Sequence, residues 1–321
     1  FVATDAIASV TSDAALADNV FGIAAGAEAA FGIGHTDIAA GNNVAAQTLT
    51  ISGQTVRSVD IEANASAKVI AAAVNAVANE TGVQATARTT ATLSEFSTAG
   101  VVSFTLNGQD ISAYLADPNN VSNLTDAINS QTSKTGIIAT HSVDKKSITL
   151  LAEDGRDISL LNFNNSATGT TVNGATVAST SMKVTGGTGI PVVLQDTNTT
   201  TDPDSTVIGG ELEFKSPGNY FSIASSIQAI DGGLFAGTAD ELQPGQLQTV
   251  SNIDISTIET ATAAIDVIDG ALAQINGIRA DLGAIQNRFM STIGNLQTSS
   301  ENLTAARSRI QHTDFAAETA N

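Results

Sequence analysis

The chain has 321 residues, enough for two or three domains. Its 13 basic residues face 32 acidic ones, for a formal net charge of −19. That balance argues against nucleic acid and anionic membrane surfaces, both of which are held by Lys and Arg. Without cysteine there are no disulfides or thiolate metal sites; with 4% aromatics and no tryptophan, small β-rich domains with modest cores are expected rather than a compact enzyme.

No apolar run approaches the ~20 residues a membrane-spanning helix needs, so membrane insertion is not expected. Phe1 onward has neither the charged start nor the cleavage pattern of a signal peptide, and a chain opening on Phe reads as a fragment. Residues 1–46 are rich in Ala, Gly and Asp, with short apolar pieces at Val20-Phe21-Gly22-Ile23 and Ala30-Phe31-Gly32-Ile33, and read as short strands and loops. Leu49-Thr50-Ile51-Ser52-Gly53-Gln54-Thr55-Val56 alternates like a strand and turns at Ser52-Gly53, and a second strand follows around Val59 to Glu62. Ser66 then caps a helix whose expected inner face is Val69, Ile70, Ala73, Val74 and Val77, and Thr81-Gly82-Val83 closes it.

The same order recurs. Phe104-Thr105-Leu106-Asn107-Gly108-Gln109-Asp110-Ile111 repeats the strand and its Gly-Gln turn. Ser122 opens a helix with Leu124, Ala127, Ile128 and Asn129, and Thr135-Gly136-Ile137 answers Thr81-Gly82-Val83. This is an internal duplication of a ββα-type unit. Two hairpins are expected next, turning at Asp144-Lys145-Lys146 and at Glu153-Asp154-Gly155-Arg156. Asn164 to Thr176 offers little to bury and reads as loop or exposed edge. Val192-Val193-Leu194 and Ile208 to Phe214 read as strands flanking a polar linker, Asp196 to Ser205; Tyr220-Phe221-Ser222-Ile223 is another, and Gln243-Pro244-Gly245 is a turn.

The last stretch carries the strongest pattern. Ile258, Ala261, Ile265, Ile268, Leu272, Ile275, Leu282, Ile285, Phe289, Ile293, Leu296, Leu303 and Ile310 recur mostly in steps of three and four, the mark of one long amphipathic helix. Ser256-Thr257-Ile258-Glu259 has the form of a capping box at its start, and helix is expected to about Ser299. The step slips between Ile275 and Leu282, where Ile278 and Arg279 compete for the seam. Such a stripe is the core of a bundle within one domain or a coiled coil completed by other segments or subunits, and its length favours the second.

Chemistry-bearing motifs are sparse. His35, His141 and His312 lie far apart, no H-E-x-x-H occurs, and Gly186-Gly187-Thr188-Gly189 lacks the Gly-Lys-Ser/Thr ending of a phosphate loop, so neither enzymatic activity nor a cofactor is expected. Asp196-Thr197-Asn198-Thr199-Thr200-Thr201-Asp202-Pro203-Asp204 alternates oxygen ligands like a calcium loop. It has Thr201 where the sixth position needs Gly and Val207 where the twelfth needs Glu, so a solvated acidic linker is the preferred reading and no metal site is assigned.

Arg279-Ala280-Asp281-Leu282-Gly283-Ala284-Ile285-Gln286-Asn287-Arg288-Phe289, then Asn295-Leu296, Glu301-Asn302-Leu303 and Ala306-Arg307-Ser308-Arg309-Ile310-Gln311-His312-Thr313-Asp314-Phe315-Ala316-Ala317-Glu318, resembles the C-terminal helical region of bacterial flagellin. The duplicated unit, with its Gly-Gln turn and an Ala-rich helix ending in Asn and Thr-Gly-Val/Ile, resembles the repeat of flagellin variable regions. The resemblance implies a self-assembling filament subunit for motility, with other copies of itself and the flagellar export and capping machinery as partners. It also implies an extracellular location in the flagellum, reached without a cleaved signal peptide. Its assembly face would be Ile258, Ile265, Ile268, Leu272, Ile275, Leu282, Ile285, Phe289, Ile293, Leu296, Leu303 and Ile310, and its polar subunit contacts Arg279, Asp281, Arg288, Arg307, Arg309 and Asp314. The N-terminal helical region of that family is absent from this chain, so the helix is expected to be poorly packed or paired with a neighbouring copy.

The expected fold class is α+β: a long C-terminal coiled-coil-type helix with a β-rich outer region of two duplicated ββα-type units. The expected domains are 1–100 and 101–185 (the two repeat units), 186–250 (a β-rich return segment) and 251–321 (the helical assembly domain). The alternative function is a cell-surface adhesin or glycan-binding flagellin-like protein with a surface polysaccharide as partner, although Tyr114 and Tyr220 are a thin aromatic platform for sugar.

Overall fold

The structure, a computed structural model, describes residues 7–11, 41–42, 44–172, 175–177, 179–186, 191–196, 204–217, 220–228, 231–235, 238–248, 250–256 and 258–318. The expected pieces at 20–23 and 30–33, His35, most of Gly186–Gly189 and residues 197–203 of the calcium-like loop lie outside them. The chain is α+β and divides into a β-rich unit, Ile7–Gln248, and a helical unit containing Thr249–Asn321.

After strand β1 (Ile7–Thr11), the first repeat runs β2 (Gln47–Ser52), β3 (Val56–Ile61), α1 (Ala67–Ala76), the single turn α2 (Ala78–Thr81) and β4 (Gln84–Ser94). The second runs β5 (Gly100–Leu106), β6 (Gln109–Leu115), α3 (Ser122–Asn129), α4 (Thr132–Thr135) and β7 (Ile138–His141). The duplication holds down to single hydrogen bonds. Asn75 donates to the Ala85 carbonyl and accepts from its amide, both at 2.8 Å. Asn129 does the same with Ala139, at 2.9 and 2.8 Å. The hydroxyls of Thr81 and Thr135 each fold back onto the preceding turn while accepting from the amides of Val83 and Ile137 at 3.2 Å. Each helix ends on a glycine with φ +72°, Gly82 and Gly136, where a side chain would be strained.

The rest of the chain is β8 (Ile148–Ala152), β9 (Ile158–Asn165), a small hairpin of β10 (Thr171–Val172) and β11 (Ala175–Thr176), β12 (Thr180–Gly186), β13 (Val192–Asp196), β14 (Thr206–Ile208), β15 (Glu211–Pro217), β16 (Ser222–Ser225), β17 (Gln243–Pro244) and β18 (Gln246–Gln248). An eight-stranded sheet runs in the order β13-β12-β4-β15-β1-β18, with β8 on β4 and β7 on β8. Two four-stranded sheets, β14-β9-β5-β6 and β17-β16-β2-β3, belong one to each repeat. Strand β4 is shared. Its first half pairs with β15 and puts Ala85 beside Leu49, Ile51, Ile70, Val74, Phe214 and Phe235 in one core. Its second half pairs with β8 and β12 and puts Ala91 and Leu93 beside Phe104, Leu106, Ile111, Leu124, Ile128 and Ile148 in the other.

Several expectations are corrected. Helix α1 buries Ala67, Ile70, Ala71 and Val74, while Val69 is 56% exposed. Of the expected inner face, Ile70 and Val74 are fully buried and Ala73 and Val77 pack partly buried against the same core, so only Val69 turns outward, and alanines at 67 and 71 complete the face. Ser66 holds the extended N-cap conformation but makes no side-chain capping bond. The Asp154-Gly155 turn does not make a hairpin: β8 pairs with β4 and β7, whereas β9 pairs with β5 and β14. Gly155, at φ +73°, packs so close to Ala87 that a Cβ would collide with it, and this steers the chain across rather than back. Asp196 is a buried strand end accepting from Asn164 and the Asn165 amide, not part of a solvated linker. Gln243 and Pro244 pair with β16 rather than forming only a turn.

Candidate assembly surface

The helical unit enters through a 3-10 turn at Val250–Asn252. Asp254 then accepts from the amide of Ser256 at 2.9 Å and from its hydroxyl at 3.0 Å, bonds that hold its carboxyl below the usual range. The Ser256 hydroxyl thus donates to Asp254 at the helix start. Helix α5 (Ile258–Glu318) follows, 61 residues without a proline and well past the Ser299 expected from the pattern. At ~1.5 Å per residue it is about 90 Å long.

The apolar stripe lies open along α5. Exposure ranges from 38% at Ile275 to 71% at Leu303 and Ile310, and Ile265, Ile268, Leu272, Leu282, Ile285, Phe289, Ile293 and Leu296 fall between. Ile278 and Met290 are exposed too, whereas Ala264 and Val267 near the start are buried. Ile258 opens the helix.

The stripe has a strict period. Ile268, Ile275, Leu282, Phe289, Leu296, Leu303 and Ile310 recur every seventh residue without a break. The companion line is Ile258, Ile265, Leu272, Arg279, Gln286, Ile293, Ser300, Arg307 and Asp314. The slip at Ile278 and Arg279 is therefore a polar residue occupying a seam position, and the register continues past it. A sustained seven-residue repeat winds helices into a left-handed supercoil, and polar residues at isolated seam positions fix register at a cost in stability.

The polar candidates fall on two lines. Arg279, Arg307 and Asp314 share the seam; Asp281, Arg288 and Arg309 sit two residues beyond seam positions, on one flanking line. Arg279, Asp281, Arg288, Arg307 and Arg309 are all exposed. The hydroxyls of Thr292, Thr298 and Thr304 fold back onto carbonyls of the preceding turn.

Elsewhere, His141 is exposed with its Nδ1 3.0 Å from the Ser142 carbonyl, and His312 lies in α5. Among the described residues no three His, Asp or Glu side chains converge as a metal site would need. No helix among them is long and apolar enough to cross a membrane.

Two family patterns match the chain. The family described as "Bacterial flagellin C-terminal helical region" covers residues 265–321, which hold nearly the whole exposed stripe. The "Flagellin hook IN motif" covers residues 48–99, the first repeat from β2 through β4. The B-type flagellin of Pseudomonas aeruginosa is 38% identical over 229 residues, 70% of this chain and 43% of that relative. The chain belongs to the bacterial flagellin family.

Over shorter stretches it is 46% identical to Flagellin D of Vibrio cholerae, across 28% of this chain and 24% of the relative. Flagellin B of Vibrio anguillarum is 45% identical across 30% of this chain and 25% of the relative. The chain spans less than half the length of these curated relatives. Within this flagellin sequence the second repeat, β5 to β7, reproduces the hydrogen bonds of the region matched as the hook IN motif, so the same unit is present twice.

Proposed function

We propose that this chain is part of a structural subunit of the bacterial flagellar filament, which assembles with other flagellin subunits through coiled-coil packing of α5 and serves motility. The observation that carries it is the unbroken seven-residue apolar repeat, exposed along a 61-residue helix. Fully burying a Leu or Ile is worth roughly 1.5–3 kcal/mol, so covering this stripe releases a large free energy that the isolated chain leaves unused. The assembly face is Ile258 through Ile310, with Arg279, Asp281, Arg288, Arg307, Arg309 and Asp314 as the polar contacts that set register and partner orientation.

In this reading 251–321 is the assembly domain, and the two repeats with the return segment 186–250 form the outward region. The location is extracellular, in the flagellum, and the subunit travels through flagellar export without a cleaved signal peptide. The role is structural rather than catalytic. Electron microscopy of the full-length parent protein, seeded to polymerise beside this chain, tests the reading. Filaments from the parent are expected; a parent that stays monomeric under seeding overturns the assembly role.

A further inference from the structure

The two cores of the β-rich unit meet along a seam that is polar where both cores are apolar. The chain crosses it within β4, at the turn 153–157, and at Gly209–Gly210 between β14 and β15. Thr89, in the middle of β4, and Asp157, in the turn, each hold a buried side-chain oxygen with no hydrogen-bond partner, Oγ1 and Oδ1.

Asp157 ties both repeats. Its Oδ2 accepts from Asn42 Nδ2 at 2.9 Å, and Asn42 also donates to the Ala65 carbonyl just ahead of α1. The Asp157 carbonyl accepts at 3.0 Å from Asn107, in the hairpin turn between β5 and β6, and Asn107 Oδ1 accepts from the Ser159 amide at 2.7 Å. In the same turn the Lys68 amide of α1 donates to the Gly155 carbonyl at 2.9 Å. We propose that Asp157 and its turn form a proton-sensitive latch between the two repeats, closing more firmly in mildly acidic solution than at neutral pH.

The physical basis is a carboxylate with too few partners. One oxygen has a single side-chain donor and the other has none, so the charged form is poorly solvated in the fold. The nearby cations do not relieve it. Arg156 and Lys68 both bind Asp154, whose carboxyl they hold well below the usual range, and Arg156 also donates to the Thr135 carbonyl. Lys134, Glu62, Glu153 and Arg88, on the elements around the turn, are exposed. Burial pushes Asp157 up to about 6, against a smaller downward pull from the Asn42 bond.

The folded value lies above the unfolded one, so the stabilising contribution is full below the ordinary carboxylate value and is lost as pH rises through about 6. In the whole chain, Asp157→Asn is expected to melt roughly 3–8 °C above wild type at pH 7.5, a gap that narrows to about a third by pH 4.5. An equal gap at both pH values, or a lower melting point at pH 7.5, overturns the latch. A carboxyl-carbon NMR titration of the unsubstituted chain reads the group without any variant: a midpoint near 6 is expected, and one in the ordinary Asp range overturns the proposal. Asn42→Ala should move that midpoint higher. Amide exchange at Lys68 and Ser159, corrected for intrinsic rates, should be slower at pH 5 than at pH 7.5; no difference breaks the link between the proton and the seam.

Discussion

Leu49 and Leu282 are the same side chain in opposite circumstances. The first is fully buried in a core closed by its own repeat and the returning strands, and the second is 52% exposed on α5. The β-rich unit, two copies of a ββα unit joined by a shared strand, satisfies itself: helix packs on sheet, and side-chain amides complete the backbone bonding where helix meets strand. The helical unit leaves its apolar line open. One region is specified by contacts within the chain, the other by a periodicity that stays exposed along α5.

The sharpest way to break this contrast is to make the stripe polar. Leu282→Ser, Phe289→Ser and Leu296→Ser together, in the full-length parent, are expected to abolish filament formation seen by electron microscopy. The melting of the β-rich unit should stay unchanged, since these residues add nothing to its cores. A filament that still forms would remove α5 as the assembly face. The converse substitutions, Ile51→Ala in one core and Leu106→Ala in the other, should each cost about 2–5 kcal/mol in denaturant unfolding, because both side chains are fully buried. Helical signal from α5 should survive them.

A smaller effect tests whether the repeats are energetically as well as structurally alike. Asn75→Ala and Asn129→Ala each remove two side-chain bonds to one backbone residue, Ala85 or Ala139. Each should cost roughly 1–3 kcal/mol, since the amide and carbonyl left behind are only partly hydrated. Similar losses would show two equivalent units. A loss at Asn75 alone would make the first repeat, which lends its long last strand β4 to both cores, the keystone of the unit.

The sequence made some of this legible and hid the rest for identifiable reasons. Helix α5 was visible because its apolar spacing persists over so many turns that no strand pattern competes. The duplication was visible because its punctuation, the Gly-Gln turn, the Asn near the helix end and the Thr-Gly closure, is chemically constrained by positive φ and paired side-chain bonds. Strand β4, Gln-Ala-Thr-Ala-Arg-Thr-Thr-Ala-Thr-Leu-Ser, was not foreseen, because its inward residues are mostly alanine and its alternation carries little hydropathy contrast. Strand β12 was missed as well. Asp154-Gly155 misled because a turn and a crossover share local chemistry, and the path of the chain beyond Gly155 depends on the distant Ala87 and Lys68. The Asn42–Asp157 bond joins residues 115 apart in the chain, beyond any local pattern.

The smallest effect probes how wide the assembly face is. Gly294 lies in the exposed middle of α5, where an added methyl meets nothing within 4 Å. Gly294→Ala should therefore stabilise the isolated helix by about 0.5–1 kcal/mol, the usual gain of alanine over glycine in a helix interior, read as increased helical circular dichroism and slower amide exchange around Ile293. Gly294 comes directly after the seam residue Ile293 and points off the two heptad lines, so a helix pairing through the seam alone would leave this position open. The parent carrying Gly294→Ala is then expected to polymerise as well as wild type, or better. If it gains helicity but loses assembly, the methyl has met a second neighbour, and the face extends around the helix to a contact on its far side.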